Sequence, residues 1–270
     1  MKLKNLFTAV ALVGATTMGA VAHASPTITN LDGNLSPFGG FDWAQGSAAW
    51  TVGFLPVVGD TFVLNYAGWA SNLTNTFGNN LHTPRLDSVA NGTPEAPGLY
   101  EYTIFASLTE EVISITAGVA TFRTTGGSFA IYYDTGTNAN ITNLNWTGFT
   151  DGIQILGGTV NASVTNQTFN VATGGQADLT GVVTFTNNAF INPALIGTNL
   201  TSTLQLAAAV TNFTPPTSFQ GVAIEQGSIR FQADANQAFT VGRIPEPSAL
   251  LLAGLALVGA GIVTRRRAVA

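Results

Sequence analysis

The stretch "LYEYTIFASL" (Leu99–Leu108) alternates. Tyr100, Tyr102, Ile104 and Ala106 fall on one face of an extended chain, the period-two pattern of a half-buried β-strand. "GSFAIYY" (Gly127–Tyr133) repeats it with Phe129, Ile131 and Tyr133. Thr198–Val210 repeats it again with Leu204, Leu206, Ala208 and Val210. One face packed and one solvated is the signature of antiparallel sheets.

Outward from these segments, further β-rich runs cover Ala48–Leu55, Thr61–Ala70, Glu111–Arg123, Gly152–Leu156, Thr159–Val164, Ala177–Thr186 and Gly221–Gln232. Gly, Asn, Asp and Pro separate them, as turn residues do. Between Ser25 and Pro245 no segment sustains a 3.6-residue apolar period. Ala194–Leu206 comes nearest, but its Thr and Gly oppose a helix. The expectation is an all-β domain of two packed antiparallel sheets, a β-sandwich of jelly-roll type. Ser71–Gly98, rich in proline, reads as a surface excursion, and Thr211–Ser218 as a second loop.

Composition narrows the function. The chain has no cysteine, which excludes disulfides, a thiol nucleophile, a lipidated cysteine and cysteine metal sites. Ser25–Pro247 contains 14 acidic residues against Arg85, Arg123, Arg230 and Arg243, a net of −10. Four scattered arginines make no nucleic-acid surface.

The chemistry-bearing residues are few. Beyond position 24 the only histidine is His82, in the loop-like "NNLHTPRLD", and no G-x-S-x-G occurs. Glu110 and Glu111 are adjacent in a strand and point to opposite faces, so they cannot share a substrate. The chain is therefore read as non-enzymatic. Asp134, Asn138, Asn140 and Asp151 flank a long connection and are the oxygen donors a calcium ion would use. Their spacing matches no EF-hand, and the favoured reading is turn capping with no cofactor. Trp43 in "GGFDWAQGS" and Trp146 in "NLNWTGF" lie among turn residues and are candidate sugar-stacking platforms; Trp50 reads as core.

The two ends carry sorting information. Lys2 and Lys4 precede an apolar run, Leu6–Ala15, and Ala22-His23-Ala24 forms an A-x-A site for signal peptidase, so residues 1–24 read as a signal peptide. Near the other end, Pro245-Glu246-Pro247 precedes Ser248–Thr264, which is uncharged, and then Arg265, Arg266 and Arg267. A helix over those 17 residues reaches roughly 25 Å against a hydrocarbon core of about 30 Å, a minimal single span. The arginines place its far side in the cytoplasm. The two prolines hold the preceding backbone extended.

This order of motif, apolar helix and basic tail resembles the PEP-CTERM sorting signal of Gram-negative bacteria. The resemblance implies processing by exosortase near Pro245–Pro247, transient anchoring in the inner membrane, and residence at the cell surface or in the extracellular matrix. It divides the chain into a signal peptide (1–24), an exported domain (25–243) and a sorting signal (244–270). "GGFDWAQGSAAWTVGFLPVVGDTFVLNYAGWA" and "FAIYYDTGTNANITNLNWTGFTDGIQILGGTV" are similar to the flocculation-associated PEP-CTERM proteins. That similarity implies a role in cell aggregation, as floc or biofilm, with exopolysaccharide as partner. The alternatives are a carbohydrate-binding module with a defined sugar site and a secreted polysaccharide-active enzyme.

Overall fold

Strands that bury every second side chain need an apolar surface opposite them. In the computed structural model of the chain, that surface is the far side of the same sheet. The structure describes residues 25–240 except 164, 171–172 and 208–212. Residues 1–24, read from the sequence as a signal peptide with Ala22 and Ala24 at its cleavage site, and the segment 244–270 lie outside the described residues. Among the described residues there is no helix, and so none long and apolar enough to cross a membrane.

Eight long strands form the body: β1 (Phe38–Val52), β2 (Thr61–Asn75), β3 (Glu101–Thr116), β4 (Val119–Asp134), β5 (Ile153–Val160), β6 (Gly174–Thr186), β7 (Asn199–Ala207) and β8 (Arg230–Thr240). Each pairs antiparallel with the next in sequence. β8 then pairs antiparallel with β1, from Arg230 opposite Trp50 to Ala238 opposite Gly40. The sheet thus closes into an eight-stranded up-and-down barrel. This corrects the expected sandwich. A jelly roll needs strands that cross between two sheets, whereas here each long strand pairs with the next in sequence and the last closes on the first, which leaves no edge. A short strand, Gln167–Asn170, pairs with the start of β4 and of β6 and extends the wall where β5 is short.

Several boundaries also differ from expectation. Glu111–Arg123 is not one strand, because Ala117 and Gly118 turn the chain with φ of 50° and 82°. Two consecutive positive φ values make the primed hairpin turn whose twist matches its strands. Gly152–Leu156 merges with the start of Thr159–Val164 into β5, which ends at Val160. The first strand starts at Phe38, well before Ala48. Within it "AQG" (Ala44, Gln45, Gly46) forms a bulge: Trp43 stands opposite Ala235 and Ser47 opposite Ala233, so three residues face Asp234 alone. The Ser47 hydroxyl donates to the Ala44 carbonyl at 2.6 Å and closes the bulge. The turn-like residues therefore do make a turn, but one contained inside a strand.

The barrel interior is filled. Phe41, Trp43, Tyr102, Leu108, Ile131 and Leu204 are among the buried residues that pack there, and the space beside Trp43 amid β1–β8 is about 40 Å³. Eight strands enclose a lumen that side chains can just fill. A small sheet of Thr27–Asn30, Gly33–Leu35 and Ile191–Asn192 adds Ile28 and Ile191 to this core.

A second core lies on the outside. Outward residues of β1 and β2 (Ala44, Ala48, Trp50, Ala67 and Trp69) are covered by Ala90, Ala139, Trp146, Phe149 and Ile224, all from the segments that connect the eight long strands. Part of the Ser71–Gly98 excursion therefore packs on the barrel rather than running over it. The wall of β6, β7 and β8 is largely polar: these strands point Gln176, Asp178, Thr201, Thr203, Gln205 and Asn236 outward while Leu179, Leu204 and Phe231 point in, with Phe185 an exposed apolar exception. Apolar inside and polar outside is the reverse of a lipid-facing barrel.

Candidate functional site

The tryptophans named as sugar platforms cannot serve as such. Trp43 points into the barrel at 1% exposure and stacks on Phe41 with ring centroids 5.0 Å apart. Trp146 is equally buried, stacked on Phe149 at 5.6 Å in the outer core. Trp50 is core as expected, but core of the outer cluster. A stacking platform needs an open ring face, and neither ring has one.

Glu110 and Glu111 separate as strand geometry requires. Glu111 stays at the surface and pairs with Arg123 at 2.7 Å across the β3–β4 hairpin. Glu110 is buried; one carboxyl oxygen accepts from the Thr124 hydroxyl at 2.9 Å, and the other has no partner. Burial pushes its pKa up to about 7, against the pull of Thr124.

Glu101, which the alternation places opposite the Tyr100 and Tyr102 face, is the carboxylate that sequence reasoning passed over. It is buried and accepts backbone N–H bonds from Asn138 and Ala139 at 2.9 and 3.1 Å, which ties the β4–β5 connection to the barrel wall. Burial raises its pKa to about 8 despite those donors. Nothing local marks it, since its partners lie 37 and 38 residues away.

Asp134 and Asp151 are engaged in turns. Asp134 accepts from the Gly136 backbone N–H at 2.7 Å, and Asp151 accepts from the Asn138 side-chain amide at 3.1 Å. Asn140 caps Thr142 in the same way. Among the described residues no three His, Cys, Asp or Glu side chains converge on a metal-sized site. His82 is exposed, on the segment after β2.

What the fold does assemble is a polar trough on the outer wall. Gln45, Gln176, Gln205, Gln232 and Asp234 line an open space of about 480 Å³ across β6, β7, β8 and the β1 bulge. Gln176 stands opposite Gln205, and Gln205 opposite Asp234, on adjacent strands. The bulge brings Gln45 to the same place. The pattern was legible in "GGQADLTG", "STLQLA" and "RFQADANQ" as the polar half of each alternation. Its convergence was not, because it depends on strand register.

The sorting residues Pro245, Glu246, Pro247 and Arg265–Arg267 lie outside the described residues. Compared with known families, residues 243–267 match the PEP-CTERM protein-sorting motif. No curated protein and no solved structure matches the chain significantly.

Proposed function

Because the chain carries a PEP-CTERM sorting signal at 243–267, we propose that it is an exported protein, cleaved by signal peptidase and by exosortase, whose barrel works non-catalytically at the cell surface or in the extracellular matrix. There it contacts exopolysaccharide and promotes cell aggregation. The sorting match carries the reading. The barrel supports it: a largely polar wall on β6–β8 is available for contact, and the buried carboxylates serve the packing rather than an open cleft. No bound metal or other cofactor enters the reading.

Processing has a direct readout. Protein recovered from its native host is expected to have an intact mass lacking residues 1–24 and everything after the Pro245–Pro247 region. A mature species that retains Arg265–Arg267 would replace exosortase processing with a plain membrane anchor. The functional test is deletion of the gene in the host. Cell aggregation should be lost while the yield of polysaccharide is unchanged. Aggregation that persists in the deletion strain rejects the adhesive role.

A further inference from the structure

We propose that the outer trough of β6, β7, β8 and the β1 bulge is a binding site for an uncharged saccharide segment. This rests on the reading that the protein works within an exopolysaccharide matrix, and it names the sugar class and the residues.

The first support is unused hydrogen-bonding capacity. Among the described residues, the side-chain amides of Gln45, Gln205 and Gln232 bond to no protein group. Gln176 donates to Asp178 at 3.1 Å and keeps its carbonyl oxygen free. Each amide offers two donors and an acceptor, the complement of a hydroxyl that both gives and takes. Asp234 adds a partly shielded carboxylate, which accepts from hydroxyls.

Spacing is the second. Gln176, Gln205 and Asp234 are consecutive cross-strand partners, so their backbones stand about 4.8 Å apart. That is close to the length of one sugar ring, and a chain laid across the strands meets a polar side chain at each step. The space of about 480 Å³ lies in the range of small-molecule sites, roughly 300–1,000 Å³.

Charge decides the class. No arginine, lysine or histidine lines the trough. Asp234 is in it, and Asp42 and Asp178 sit one row along, opposite Asn236 and Thr203. Burial, and after it the nearby Asp42 charge, raise the Asp234 pKa, and with no cation lining the trough its charge is negative. An acidic sugar or a phosphate would add to it. A neutral sugar does not.

The test uses the full-length protein in detergent and two probes: the neutral and the acidic fractions of the host's own exopolysaccharide, separated by anion exchange. The neutral fraction is expected to bind. The double variant Gln205→Ala/Gln232→Ala should weaken that binding about tenfold, the loss of two ordinary hydrogen bonds, with an unchanged melting temperature because both side chains are at the surface. No binding of the neutral fraction, or equal binding by the variant, overturns the site. Binding of the acidic fraction that the variant leaves intact also overturns it, while the matrix role stands. Unchanged aggregation on gene deletion instead removes the matrix role, whatever the trough binds.

Discussion

Replacing Trp43 by alanine is expected to lower the unfolding free energy by about 3–5 kcal/mol, the range for truncating a large buried aromatic. The indole lies in the barrel interior at 1% exposure and contacts the Phe41 ring, while the space it lines is only about 40 Å³. Closed strands joined on both sides cannot collapse far into the hole, so most of the cavity remains. Urea denaturation of wild type and variant measures the difference. The same substitution separates two roles for this residue. A surface sugar platform would lose binding and keep its stability, whereas an interior residue does the reverse. A stability change below about 1 kcal/mol, far under that range, would refute the interior placement.

The second large effect is on pH dependence. Glu110 has its pKa raised by burial from an ordinary 4.5 to about 7, and Glu101 likewise to about 8. A carboxyl whose folded pKa is raised binds its proton more tightly in the folded state than in the unfolded one. Stability is then fully present below about pH 4.5 and falls as pH rises toward 7 and 8. At about 1.4 kcal/mol for each pKa unit, Glu110 alone accounts for about 3 kcal/mol of that fall. Glu110 is the cleaner of the two groups, because one of its oxygens has no partner and ionisation leaves that charge unmet. The protein should unfold at lower urea concentration at pH 8 than at pH 5. Glu110→Gln, which keeps the shape and an acceptor for Thr124, should flatten much of the slope. Stability that is level or rising from pH 5 to 8 would contradict the burial of both groups. The dependence runs opposite to that of proteins held together by surface ion pairs, and only one ion pair, Arg123–Glu111, is found among the described residues.

The sequence alone determined the β class, because alternation such as Tyr100-x-Tyr102-x-Ile104-x-Ala106 is a local property of an extended chain. It also determined that Glu110 and Glu111 part company, and that the chain carries an ordered sorting signal with no cysteine chemistry behind it. Those readings need only neighbouring residues. Closure was a different matter. A sheet with one apolar face is satisfied equally by a second sheet or by curling onto itself, and alternation is the same in both. The choice lies in the pairing of β8 with β1, residues about 180 positions apart along the chain (Arg230 with Trp50), which no local pattern records. The stretch around Trp43 misled for a related reason. β1 is buried on both faces, inside by the lumen and outside by Trp146, Phe149 and their neighbours. Its alternation is therefore blurred, and the bulge at Ala44–Gly46 adds turn residues to a strand. Trp146 was placed by the same long-range packing. The glutamine trough completes the list: each Gln faces solvent by local rule, but only strand register and the bulge set four of them around one space.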